Sequence, residues 1–89
     1  MPDHSDSPFD FPCRFPIKIF GRGTDDFQHL VVSLIARHVP ETLDIDVSVR
    51  ESRAGRYQAV SVTIEAESRA QLDAIYRDLS GHERVLMVL

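Results

Sequence analysis

Two glycines flank an arginine and lead into a threonine at Gly21-Arg22-Gly23-Thr24. Free backbone N–H groups at such a turn, placed before a helix, can hold an anion or a carboxylate. The same glycines also suit a plain turn that needs backbone freedom. The four histidines, His4, His29, His38 and His82, lie at unrelated positions. His29 is expected on the solvent side of a helix. His38 and His82 are expected near helix C-terminal ends, where a partly charged imidazole suits the dipole. None has metal-ligand spacing with another histidine or with Cys13, so no metal is expected. Nucleophilic catalysis needs a hydroxyl, a base and an acid brought together in space, and Ser61 sits mid-strand on the outward face, where hydroxyls are ordinary. Asp44 and Asp46 stand two apart on one face of an edge strand, where charge discourages edge pairing. No catalytic residue is assigned, no cofactor is expected, and the chain is read as a non-enzyme.

The 89 residues carry a formal net charge of −4. An acidic domain has no long-range attraction for phosphate backbones, so nucleic acid is not expected as a partner. One cysteine, Cys13, allows no intrachain disulfide and fits a reducing cytoplasm. The first residues lack the basic start and apolar run of a signal peptide. No apolar run approaches membrane-spanning length, so no membrane partner is expected.

The elements that must position these groups follow from periodicity. Residues 1–10 read as a polar, mobile tail, with Phe9 and Phe11 packing where it meets a single domain over 11–89. Residues 13–20 read as a strand with Phe15, Ile17 and Ile19 on one face. Pro16 cannot donate to a ladder, so pairing is expected to start at or after it. Thr24 is the expected N-cap of a helix whose stripe is Phe27, Leu30, Val31, Leu34 and Ile35, ending before Pro40. Residues 43–50 alternate, with Leu43, Ile45, Val47 and Val49 inward. Residues 51–55 turn the chain into a strand over 55–65 with Val60, Val62 and Ile64 inward. Ser68 and Gln71 form a capping-box pattern for a second helix bearing Leu72, Ile75, Tyr76 and Leu79, with Gly81 as its stop. A last apolar strand spans 83–89.

The order β-α-β-β-α-β predicts an α+β, ferredoxin-like sandwich. It is a four-stranded antiparallel sheet with both helices on one face and the first and third strands central. Lys18, Phe20, Tyr57, Ala59, Ser61 and Thr63, joined by Leu86 and Val88, are expected on the uncovered face. Lys18, Phe20, Tyr57, Ser61, Leu86 and Val88 are therefore the candidate interface for an unknown protein partner or a second copy of the chain. RNA recognition on such a sheet needs basic charge and exposed aromatics. Phe20 and Tyr57 are expected at opposite ends of the two central strands, and the net charge is against it.

Three stretches together resemble a known family. They are Phe11-Pro12 with Phe15 and Lys18-Ile19-Phe20-Gly21; Ser52 to Ile64 with Gly55, Tyr57 and the Val60–Ile64 run; and the terminal Val85-Leu86-Met87-Val88-Leu89. They are similar to the YbeD-like family of small bacterial proteins, labelled lipoate regulatory proteins, over about residues 9–89. Pro16 departs from the resemblance, which has a non-proline residue in that strand. The resemblance implies a ferredoxin-like fold close to the regulatory ACT domains. It carries over no catalytic residue, and its link to lipoate metabolism is a label. An ACT-like reading places a small ligand, an amino acid or other carboxylate, at Gly21, Arg22, Gly23 and Thr24. An acylphosphatase-like hydrolase shares the architecture and would use Arg22 for phosphate, but it needs an asparagine and this chain has none.

Overall fold

A computed structural model describes residues 10–89, with the elements β1 (Cys13–Arg22), α1 (Phe27–Ala36), β2 (Asp46–Glu51), β3 (Tyr57–Ala66), α2 (Arg69–Ser80) and β4 (Val85–Val88). The tail reading over residues 1–10 lies, except for exposed Asp10, outside the described residues. The strands form one antiparallel sheet in the order β2-β3-β1-β4, so β1 and β3 are central as expected. Both helices lie on the same side, over β1, β3 and β4.

The core lies between this face and the helices. Ile17, Ile19, Val60, Val62 and Ile64 come from the two central strands and are at most 1% exposed. Phe27, Val31, Leu34 and Ile35 of α1 and Leu72, Ile75 and Leu79 of α2 close over them. Each large aliphatic side chain buried this way contributes about 1.5–3 kcal/mol. Phe11 packs against the same core, as expected.

Four boundaries differ from expectation. Pro16 lies within β1 and pairs opposite Thr63, with the ladder starting at Cys13↔Ala66. Lys18 exchanges both backbone hydrogen bonds with Leu89, at 3.2 and 2.8 Å. Backbone groups alternate sides along a strand, so position 16 also points its missing N–H toward the β4 side. Among the described residues no strand lies on that side of position 16, so no ladder bond is lost there. Next, Gly21 and Arg22 belong to β1 and leave only Gly23 and Thr24 in the turn. Third, β2 begins at Asp46 because β3 runs on past Thr63 paired to β1 alone. Leu43 and Ile45 still pack against the core from the preceding segment. Fourth, α1 begins at Phe27 after Asp26, and Thr24 is not its cap.

Helix α2 starts as its capping pattern predicts, with Gln71 N–H donating to Ser68 Oγ at 3.1 Å. The Gln71 carboxamide accepts from Glu67 N–H at 2.6 Å and donates to the His38 carbonyl at 2.7 Å. It thus ties the start of α2 to the segment after α1. Between β2 and β3 the chain makes a 3-10 turn, Arg53–Gly55, in which Ala54 (φ 70°) and Gly55 (φ 68°) are both left-handed.

Candidate functional site

The turn after β1 is built by close approach. A Cβ on Gly21 would sit 2.2 Å from the Phe27 ring, and one on Gly23 would sit 2.2 Å from the Gly55 carbonyl oxygen. The N–H of Gly23 donates to Arg56 O at 2.9 Å, so it is already engaged. Thr24 accepts a hydrogen bond from Arg84 and donates to Asp26 Oδ1 at 3.0 Å. Arg84, arriving just before β4, donates to Asp26 from both terminal guanidinium nitrogens, at 3.1 and 2.7 Å. Hydrogen bonds from Arg84 and then Thr24 hold the Asp26 carboxyl down from 3.8 to about 2. The same carboxylate raises the Arg84 guanidinium. Beside this clasp is a depression of about 280 Å³ lined by Arg22, Thr24, Glu83, Arg84 and Leu86. Sequence reasoning found Arg22 and Thr24 but not Arg84 or Asp26 as their partners, because position 84 lies 60 residues from Thr24.

The sheet face away from the helices is uncovered among the described residues. Register alone fixes its rows. Ser48, Ser61 and Lys18 lie side by side across β2, β3 and β1. In the next row are Arg50, Ala59, Phe20 and Met87, and beyond it Tyr57 beside Arg22. At the other end Arg14 reaches across to Asp46 at 2.6 Å, with both side chains well exposed. Such a pair contributes little to stability.

Two expectations about this face are corrected. Val88 is not on it. The β1–β4 register shifts between Phe20 and Gly21, so Leu86 becomes an extra residue of β4 while Val88 pairs with buried Ile19. Val88 packs against the core, and Met87, opposite Phe20, takes its place on the open face. A bulge of this kind is invisible to strict alternation. Phe20 and Tyr57 are not at opposite ends. Antiparallel pairing sets the end of β1 beside the start of β3, and both residues line one hollow of about 220 Å³.

The remaining candidates are accounted for by their surroundings. His38 Nε2 lies 2.6 Å from Asp78 Oδ2, joining the end of the α1 segment to α2. That hydrogen bond holds the Asp78 carboxyl below its ordinary value, helped by charge from His38, Arg37 and Arg77. His82 Nδ1 accepts from Arg84 N–H at 3.2 Å. His29 is exposed, and His4 lies outside the described residues. Cys13 is partly buried at the head of β1. Gln58 is buried on the core face and donates to Glu51 at 3.2 Å, while its Oε1 has no protein partner. Among the described residues no three His, Cys, Asp or Glu side chains converge as metal ligands, and no helix is long and apolar enough to cross a membrane.

A four-stranded antiparallel sheet in this strand order with two helices on one face defines the α+β, ferredoxin-like class. The solution structure of protein HP0495 from H. pylori shares it, with a TM-score of 0.74 at 16% identity, covering 100% of this chain and 94% of that one. The chain belongs to the family described as "Protein of unknown function (DUF493)", whose profile matches residues 6–89. It is 47% identical, over the full length of both chains, to a UPF0250 protein of Chromobacterium violaceum. It is 40% identical over 84 residues to UPF0250 protein NE1487 of Nitrosomonas europaea, covering 94% of this chain and 97% of that one. These are the YbeD-like proteins that the sequence resembles; "lipoate regulatory" is a family label.

Proposed function

We propose that this chain is a non-enzymatic regulatory or adaptor domain of the cytoplasm that works by contact, pairing with a second copy of itself along β4. The observation that carries this is the composition of that edge. Leu86, Met87 and Leu89 are 53%, 52% and 62% exposed, and Val85–Val88 contains no charged residue. Exposed edge strands ordinarily carry charge or proline that blocks pairing. The other edge, β2, does so with Asp46, Arg50 and Glu51. A strand lying antiparallel to its own copy satisfies a two-fold axis, the commonest symmetry of oligomers. The non-enzymatic part rests on what the reactive groups are doing: His38 is held by Asp78, and among the described residues neither a histidine nor a carboxylate stands beside Ser61, whose ladder neighbours are Lys18 and Ser48.

Sedimentation over a concentration series tests this. The weight-average mass of the wild type should rise with concentration. Leu86→Asp should weaken association by about 10-fold or more, the effect of losing one buried aliphatic contact. A wild type that stays monomeric near 1 mM, a concentration at which association worth only about 4 kcal/mol is visible, refutes it.

A second reading has its own observation, the depression beside Arg22. In it the turn at Gly21, Arg22, Gly23 and Thr24 takes a small carboxylate, with the Arg22 guanidinium as donor because the Gly23 N–H is engaged. Amide-shift mapping against amino acids and lipoate tests it, and an unperturbed turn removes it.

A further inference from the structure

The two middle rows of the open face hold a feature that self-association along β4 does not use. Ser48, Ser61 and Lys18 form one row, and Arg50 flanks it in the next. Between them is a hollow of about 310 Å³ lined by Lys18, Ser48, Val49, Arg50, Ala59 and Ser61. Ala59 opens the space, since its methyl group stands where Arg50 and Phe20 would otherwise be bridged by a larger side chain. Neither cation and neither hydroxyl has a side-chain partner among the described residues. No carboxylate lines the hollow, although the whole chain is acidic. Two other cations are paired with carboxylates, Arg14 with Asp46 and Arg84 with Asp26; what sets Lys18 and Arg50 apart is that they share one hollow with two hydroxyls.

The donor set defines the ligand. A guanidinium offers a planar fork, an ammonium a point charge, and two hydroxyls offer further donors that rotate to suit. Together they match a tetrahedral dianion with several oxygens, to which charge-assisted bonds are about twice as strong as neutral ones. A second hollow adjoins, sharing Arg50 and Ala59 and lined by Phe20 and Tyr57. Aromatic side chains there suit a flat or apolar group. Glu51 lines only this second hollow, so the charged end belongs in the first. We propose that the open sheet face binds a phosphate monoester, its phosphate between Lys18 and Arg50 with the Ser48 and Ser61 hydroxyls, its apolar remainder against Phe20 and Tyr57. The site is complete within one chain and does not depend on pairing along β4.

The test is amide chemical-shift titration of the full chain with inorganic phosphate and with phenyl phosphate, ionic strength held with chloride. Both probes should give saturable shifts at residues 18, 48, 50, 59 and 61. Phenyl phosphate should bind about 10-fold tighter, the effect of one modest apolar contact, and add shifts at 20 and 57. Lys18→Glu and Arg50→Glu should each weaken both probes about 10-fold or more, while Arg77→Glu, on α2, should not. All three are exposed positions, and the same spectra report whether each variant is folded. Three results overturn the proposal. One is no saturable shift at these residues up to about 20 mM of either probe, a bound weaker than any useful affinity. Another is binding unchanged in both charge-reversed variants. The third is binding of a uridine oligonucleotide without binding of phenyl phosphate, which makes the face a nucleic-acid strip instead.

Discussion

Replacing Gly21 by alanine places a methyl group where the fold has already put a ring. The added Cβ would lie 2.2, 2.3 and 2.8 Å from three carbons of Phe27, which is fully buried. Ordinary carbon–carbon contact is about 3.5–4.0 Å, so the ring must retreat by more than about 1 Å. Overpacking a dense core costs about 1–3 kcal/mol, and this geometry belongs at the upper end, about 3 kcal/mol. For a chain of this size that is a fall in Tm of about 12–24 °C. Phe27→Leu removes the obstructing ring edge at a cost of its own, about 1–2 kcal/mol, well below the cost of truncating a buried phenylalanine to alanine. The double variant should therefore be more stable than the sum of the two losses predicts, by about 1.5 kcal/mol or more. Urea denaturation followed by circular dichroism measures all four corners of the cycle. Additive losses, or a cost below about 1 kcal/mol for Gly21→Ala alone, would show that the glycine is not there to make room for the ring.

Gly55→Ala should cost about 1 kcal/mol in the same assay. Its φ of +68° is strained for alanine, while nothing stands within 4 Å of the new Cβ. In acid, stability should fall from about pH 4 to about pH 2. Asp26 has its folded value lowered from 3.8 to about 2, so its pairing with Arg84 is fully present above pH 4 and is lost as pH drops through the folded value. Asp78, also lowered, acts in the same direction. Asp26→Asn should flatten this limb of the urea midpoint against pH; an unchanged limb would mean the clasp does not form in solution.

Most of the fold was legible because its core is written in unbroken periods. The alternation Val60, Val62, Ile64 and the stripe Phe27, Val31, Leu34, Ile35 leave one arrangement that buries both. The open face was legible in part. Lys18, Phe20 and Ser61 were placed by alternation, whereas Met87 was missed and Val88 misplaced because one extra residue in β4 reverses every side chain beyond it. Pro16 misled for a related reason: whether a missing N–H matters depends on where the neighbouring strand stops, which is not local information. Arg84 and Arg50 gained their meaning only from register, since each works beside residues far away in the chain.

The pairing of β1 with β3 also has a kinetic consequence. Its partners are 35 residues apart at Arg22↔Tyr57 and 53 apart at Cys13↔Ala66. Loop closure is least costly at the near end, where the Gly23 N–H already reaches Arg56 O. The ladder should therefore zip from that end, after the local β2–β3 hairpin has formed, in a mixed helix-and-sheet chain of a class that folds more slowly than helical bundles and faster than all-strand domains. Substitutions near Gly23 should slow folding, and those near Cys13 should mainly hasten unfolding. The turn that first suggested a binding site is then where the central ladder is initiated.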